Sequence, residues 1–521
     1  MGRSLGNGAG ASALARRVGL PAGRRWGRIA SMRGGSGRRL WRRAAVAAWL
    51  AALAVAPARP AAAVDDDAVA RLGRTRWTHG NAVRVLVYPE ESWQARLELV
   101  ERAQHHVFIS TFSWHEDRFG DLFREHLARI VQARRQSNPD FKVYCLVDAT
   151  ARGTFDSSFR QLEEAGAVVR SFNRQSWGVG PLYDPRMHDK MIVVDGRWAI
   201  VGGRNFADEY FDPQRWWLDL EVEIEGEAVW DLQLNFLKAW QVSDLFGNAN
   251  RFFMSEEAAR HAIATLWTTG RLPNGRSPLD RYLTADYFPP AAGMPGGRPV
   301  AVLYDSPLVR RRAATTDLVV EMVRSARAEV DLMTPFPNFP ADLTEALAAA
   351  AARGVRVRIF VNSEESALRR GPFLWAGLPT LIELIGDGVE VWAWSGNGQI
   401  AEILAETACE PRAVPPVALH GKLVRVDDDL AIVHSSNFNI RSTYYNTEAG
   451  VVVRDAAFNA ELESLLDGLI SLRDLRLDCG ERIDDVTIGH VVEKLGPDDV
   501  PRLREILGNR QGWVDELGLL W

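Results

Sequence analysis

Two stretches of the sequence set a histidine, a lysine, an aspartate and an asparagine at the same spacing. MHDKMIVVDGRWAIVGGRN supplies His188, Lys190, Asp195 and Asn205; LHGKLVRVDDDLAIVHSSN supplies His420, Lys422, Asp427 and Asn437. The offsets from the histidine are 2, 7 and 17 in both cases. An imidazole can attack phosphorus or hand over a proton, while lysine and asparagine give the cationic and amide donors that an anionic phosphate oxygen needs. Two of each, brought to one interface, would form a nucleophile, an acid and a cradle for transferred phosphate. No metal and no cofactor is expected: His-x-Lys is not a ligand spacing, and neither cysteine nor further histidine clusters beside either motif.

Side chains alternate faces along a strand, so His188 and Lys190 share a face, as do His420 and Lys422. Asp195 lies an odd seven residues on. With Gly196 it separates the apolar runs MIVV and WAIVGG, a hairpin signal that makes Asp195 a structural turn residue rather than a proton carrier, and Asp427 likewise. Asn205 and Asn437 follow the return strand, which brings them back beside the His-Lys end. Downstream, WWLDLEVEIEG presents Asp219 and NFNIRSTYYNTEAGVVV presents Glu448, each before an apolar strand. A carboxylate accepting the Nδ1 proton would fix the imidazole tautomer and leave Nε2 free. On this reading Asp219 serves His188, the histidine of its own repeat.

The elements that must hold these groups also occur twice. From Ala82 and again from Pro299 the sequence runs apolar strand, polar turn, amphipathic helix and second strand, followed by helix-strand pairs ending in VYCLVD and VRVRIFVN, then AVVRSFN and VEVWAWS. Strands alternating with helices predict an α/β fold with a mixed sheet flanked by helices in each half. The segment 268–298, with Pro289-Pro290 and Gly296-Gly297, reads as a linker. The expected organisation is 1–63 export signal, 64–267 first domain, 268–298 linker, 299–475 second domain and 476–521 a C-terminal extension without an assigned role.

The paired motifs resemble the phospholipase D superfamily, whose signature is a duplicated H-x-K-x4-D followed by a Gly/Ser-x-Asn turn. VVDGRWAIVGGRNFADEYF and SSNFNIRSTYYNTE look most like its bacterial cardiolipin synthase branch. The resemblance implies two similar α/β domains related by a pseudo-twofold axis, with the site at their interface and a phospholipid phosphodiester as substrate. It also implies a phosphohistidine intermediate, with His188 as nucleophile and His420 as acid, although the near-symmetry leaves the reverse assignment open. Phosphatidyl transfer, hydrolysis to phosphatidic acid, nuclease action and non-catalytic lipid binding stay open at this point. One departure from the family pattern is His434, where glycine is commoner, which puts the turn at Ser435-Ser436 in question.

Charge weighs against nucleic acid as a partner. Residues 1–63 hold twelve arginines and no acid; without them 50 Lys+Arg face 67 Asp+Glu, a net −17. Non-specific nucleic-acid binding rests on phosphate neutralisation. Within 1–63, Arg38, Arg39, Arg42 and Arg43 precede a 13-residue apolar run, Ala44 to Ala56, and Ala61-Ala62-Ala63 precede an acidic stretch. This reads as an export signal, with a start at Met32 as an alternative, and the run is shorter than the roughly 20 residues of a span. The protein is expected outside the cytoplasmic membrane, at its surface. Trp216, Trp217, Trp392, Trp394 and the tail GWVDELGLLW are candidate interfacial aromatics, with the segment GPFLWAGLP (Phe373, Leu374, Trp375) expected as an exposed apolar loop. Cys145 reads as buried, and Cys409 and Cys479 as a possible pair.

Overall fold

The computed structural model describes residues 64–149, 157–172, 185–245, 297–367, 371–398, 414–472 and 489–517, with single positions between 261 and 271 and at 402. The segment 1–63 read as an export signal, most of the segment 268–298 read as a linker, Cys409 and Cys479 lie outside the described residues. The first half contributes strands β1 (Trp77–Leu86), β2 (His106–Thr111), β3 (Lys142–Asp148), β4 (Val168–Phe172), β5 (Arg186–Met187), β6 (Met191–Val194), β7 (Trp198–Gly202), β8 (Trp217–Leu218) and β9 (Glu221–Glu225). The second contributes β10 (Arg298–Asp305), β11 (Glu329–Met333), β12 (Arg356–Asn362), β13 (Glu390–Trp394), β14 (Ala418–Leu419), β15 (Leu423–Val426), β16 (Leu430–His434) and β17 (Asn446–Arg454), followed by β18 (Val492–Leu495).

The strand order within each half is the same. It runs β4-β3-β2-β6-β7-β9-β1 in one and β13-β12-β11-β15-β16-β17-β10 in the other, and β1 pairs with β10 to make a continuous sheet. The outer three strands of each half are parallel and the inner four antiparallel. Strands β2 and β12 are buried almost throughout although each carries polar residues, His106, Ser110 and Thr111 in one and Arg358 and Asn362 in the other. A shared core lies beneath helices 228–245 and 456–471 and draws strands from both halves, with Phe236, Trp240, Leu462 and Leu466 packed on Val222, Val300 and Val451. Outer helices of each half close separate cores around Leu127 and Leu347. Helix starts follow local chemistry: Asp117 caps 118–137 by accepting from Gly120 N, and Asp455 caps 456–471 by accepting from Phe458 N.

Two expectations need correction. GPFLWAGLP is not an exposed loop but the first turns of helix 371–386; Leu374 is buried and Trp375 donates to Glu364 at 3.1 Å. The C-terminal extension supplies the reason. Helix 500–517 packs on that helix, Arg510 lies 4.7 Å over the Trp375 ring, and β18 pairs antiparallel with β13, covering an otherwise open sheet edge. Trp216 and Trp394 are buried and donate to carbonyls of Val414 and Pro416, so neither is an interfacial aromatic. Cys145 is fully buried.

Candidate active site

Each motif occupies a β-hairpin, β6-β7 and β15-β16, whose open end faces the junction of the halves. Two very short strands cross that junction. β5 runs parallel to the start of β17, pairing Arg186 with Asn446 and Met187 with Thr447; β8 runs parallel to β14, pairing Trp217 with Ala418 and Leu218 with Leu419. The backbone N–H of His188 therefore donates to Thr447 O at 3.0 Å, and that of His420 to Leu218 O at 2.7 Å.

The crossing decides which carboxylate meets which imidazole. His188 Nδ1 lies 2.9 and 3.0 Å from the two carboxylate oxygens of Glu448, and His420 Nδ1 lies 2.6 Å from Asp219 Oδ2. The sequence expectation that Asp219 orients His188 is thus overturned: each histidine is oriented by the carboxylate of the opposite half. Glu448 also accepts from Ser435 Oγ, from Ser442 Oγ at 2.7 Å and from Asn446 Nδ2 at 3.2 Å, so its oxygens are fully engaged. Burial works to raise Glu448, but the neighbouring His188 and Lys190 and the Ser435 hydroxyl outweigh it and hold the carboxyl at about 2. Burial takes His188 down to about 4 against the attraction of Glu448, leaving a neutral ring that donates from Nδ1 and keeps the Nε2 lone pair. Burial likewise pushes Asp219 up, with Lys422 and Arg204 opposing.

The lysines are placed alike but not identically. Lys190 Nζ donates to His188 O at 2.7 Å, and burial brings this ammonium down to about 7 against the pull of Glu448. Lys422 Nζ donates to His420 O and lies 2.6 Å from His420 Nδ1 and 3.5 Å from Asp219 Oδ2. Asn205 accepts from Ser113 N at 3.1 Å and donates to the Tyr210 hydroxyl at 3.0 Å. Asn437 receives Thr334 Oγ1 on its backbone carbonyl, while its buried side-chain Oδ1 meets no donor among the described residues. His188, His420, Asn205 and Asn437 open together into a cavity of about 470 Å³ whose wall includes Phe112, Arg186, Glu209, Tyr210, Phe336 and Arg441.

Asp195 and Asp427 lie away from this cavity. Both occupy hairpin turns at φ 51° and accept backbone N–H bonds from a neighbouring strand start, Asp195 from Gln104, His105 and His106 and Asp427 from Arg327, Ala328 and Glu329. His434 is a satisfied core residue: it accepts from Ser436 N at 3.0 Å and meets Thr315 Oγ1 at 3.4 Å. It keeps the turn intact because Gly450 stands opposite, where a Cβ would lie 2.2 Å from the His434 ring. The first repeat makes the reverse exchange, Gly202 opposite Glu221.

Several residues here escape a reading of the motifs alone. Asp189, between His188 and Lys190, accepts from Tyr304 and Thr447 of the opposite half at 2.8 and 2.6 Å; burial raises it to about 7. Nothing in the second motif signals it, since Gly421 stands there. Tyr210 and Ser442 were findable, each five residues past its motif asparagine. Among the described residues one group could present three ligand atoms to a metal, His115, Asp117 and Glu209 at the cavity mouth, but Asp117 Oδ1 and Oδ2 already accept from Gly120 N and Asp208 N.

Comparison with known proteins places these features in a family. The family model described as cardiolipin synthase, PLD-like domain, matches residues 97–240 and 319–470. Cardiolipin synthase 2 of Bacillus anthracis is 25% identical over 390 residues, 74% of this chain and 64% of that protein, so this chain spans less than two thirds of that relative. Cardiolipin synthase B of Escherichia coli K12 is 26% identical over 421 residues, 79% of this chain and 84% of that protein. The fold matches the crystal structure of phosphatidylserine synthase from Haemophilus influenzae Rd KW20 with a TM-score of 0.57 at 16% identity, over 87% of this chain and 98% of the other.

Proposed function

Because the chain belongs to the family of cardiolipin synthase PLD-like domains, we propose that it is a phosphatidyltransferase acting on glycerophospholipid phosphodiesters through a phosphohistidine. The observation that carries this reading is the crossed pair of imidazoles, each held at Nδ1 by a carboxylate of the other half and facing one cavity. His188 Nε2 attacks phosphorus, the bond to the headgroup oxygen breaks, and His420 passes its Nε2 proton to that oxygen. The incoming alcohol then gives its proton to His420, its oxygen bonds phosphorus, and the phosphorus–nitrogen bond to His188 breaks. Lys190, Lys422, Asn205 and Asn437 stabilise charge on the non-bridging oxygens. The neutral ring at His188, with burial lowering it to about 4, supports its assignment as nucleophile.

Phe112, Phe336 and Phe373 on the cavity wall suit the glycerol and first methylenes of a lipid better than a polynucleotide. On this reading the mature enzyme is exported and works from the membrane surface; the basic and apolar segment within 1–63 supports export. Among the described residues no helix is long and apolar enough to cross a membrane. Expression in a host lacking cardiolipin synthases, followed by lipid mass spectrometry, tests the proposal. New cardiolipin that disappears in His188→Ala is the expected result; phosphatidic acid alone would make the enzyme a hydrolase, and no lipid change would overturn the reading.

A further inference from the structure

Resting on the two-histidine reading, we propose that Asp148 and Asn362 are positioning residues, one for each motif histidine, acting through the backbone of the residue before it. The two occupy one place in the repeat. Asp148 ends β3 and Asn362 ends β12, and both side chains are buried. Asp148 Oδ2 accepts from Met187 N at 2.9 Å, and Asn362 Oδ1 accepts from Leu419 N at 2.8 Å. Met187 and Leu419 directly precede His188 and His420. The same contact thus recurs in halves whose surrounding side chains differ.

Strand geometry shows why a side chain is needed there. β5 and β14 are two residues long, and among the described residues each pairs only with a strand of the other half, β17 or β8. Along β5 the N–H groups of Arg186 and His188 donate to Tyr445 O and Thr447 O at 3.1 and 3.0 Å, so the N–H of Met187 between them points the opposite way. The Asp148 carboxylate takes that bond in place of a strand. Leu419 is held more fully. Asn362 Nδ2 donates to Leu419 O at 2.8 Å while Oδ1 accepts from Leu419 N, so one amide makes both bonds of a strand bridge. Ser366 Oγ donates to the same Oδ1 at 3.0 Å and fixes the orientation of the amide.

Each histidine is thereby clamped from two sides. The opposite half supplies the strand carbonyl at its N–H and the carboxylate at its Nδ1; its own half supplies Asp148 or Asn362 one residue earlier. Without that second clamp a two-residue strand is free to shift, and a displacement of about 1 Å at the reacting nitrogen costs about a hundredfold in rate. The two clamps differ in polarity. As a carboxylate Asp148 only accepts, and its Oδ1 lies 4.0 Å from Nη1 of Arg186 on the cavity wall. Asn362 both accepts and donates. Exchange of Asp and Asn is therefore conservative at 148 and disruptive at 362.

The test follows a phosphatidyl p-nitrophenyl ester with the purified full-length protein. A first turnover with enzyme in excess reports attack by His188, whereas steady turnover also waits on His420 to activate the acceptor. Asp148→Ala should slow the first turnover about ten- to a hundredfold, and Asp148→Asn, which keeps an acceptor for Met187 N, should restore most of that loss. Asn362→Ala should leave the first turnover within about twofold while steady turnover falls about tenfold or more. Asn362→Asp, which sets a carboxylate oxygen against Leu419 O, should behave like Asn362→Ala. The Asp148→Asn and Asn362→Asp exchanges keep side-chain size and carry the test if the alanine variants do not fold, with urea midpoints reporting the folding. A folded Asp148→Asn without first-turnover activity, or an Asn362→Asp that slows the first turnover or matches wild-type steady turnover, would overturn the proposal and leave the phosphohistidine standing. No p-nitrophenol release by the wild type would overturn both readings.

Discussion

A carboxylate at Nδ1 determines which imidazole nitrogen is basic, and here it is supplied to each histidine across the junction, Glu448 to His188 and Asp219 to His420. The two pairs should therefore fail at different steps. With a phosphatidyl p-nitrophenyl ester, whose leaving group needs no acid, rapid-quench labelling of the phosphoenzyme should survive Asp219→Asn and His420→Ala but fall by roughly two to four orders of magnitude in Glu448→Gln. Labelling lost equally in Asp219→Asn and Glu448→Gln would contradict the crossed assignment. Lys190 adds a pH signature. Burial lowers this ammonium to about 7, so its charge is present below that pH and lost above it, and kcat/KM should fall as pH rises through about 7. Lys190→Arg stays protonated and should carry that alkaline limb upward by about a unit or more; a limb that does not move belongs to another group.

Hairpins position the chemistry, and their turns report on the fold rather than the reaction. Asp195 takes three backbone N–H groups from the turn before β2 and carries no contact to either imidazole. Asp195→Asn removes the charge from those bonds while tolerating the positive φ, so the urea midpoint should fall by the equivalent of about 1–2 kcal/mol with kcat within about twofold. A fully folded but inactive variant would return this aspartate to the reacting groups. Such turns were legible because apolar runs of fixed length bracket an Asp, and parity alone sets it on the wrong side of the strand for chemistry. The crossing strands were not legible. β5 and β8 are two residues long, too short for any periodicity, and parity gives a face without saying which half lies opposite; that is why Asp219 was matched to the wrong histidine. His434 and Gly450 show the same limit, since an unexpected bulky residue is explained only by the glycine that register places against it.

Across the whole molecule the two halves are bound by more than adjacency. β1 and β10 continue one sheet, the core beneath helices 228–245 and 456–471 takes residues from both halves, and Tyr304 and Thr447 grip the buried Asp189 from the far side. The sequence revealed the duplication through repeated offsets, but a repeat is equally compatible with two independent lobes facing each other. Joining by a strand pair and by exchanged carboxylates has a different consequence. A first half produced alone, residues 64–267, would expose the β1 edge and keep His188 without Glu448, and the second half, 299–521, would keep His420 without Asp219. Each should be inactive, with phosphoenzyme formation in the isolated first half at least about a hundredfold slower than in the intact chain. Refolding the two together should restore both labelling and turnover, because the β1-β10 pairing and the crossed imidazole–carboxylate contacts need no covalent link. Full-rate labelling of His188 in the isolated first half would mean that the carboxylate from the other half does not set the nucleophile, and the crossed architecture would then be structural only.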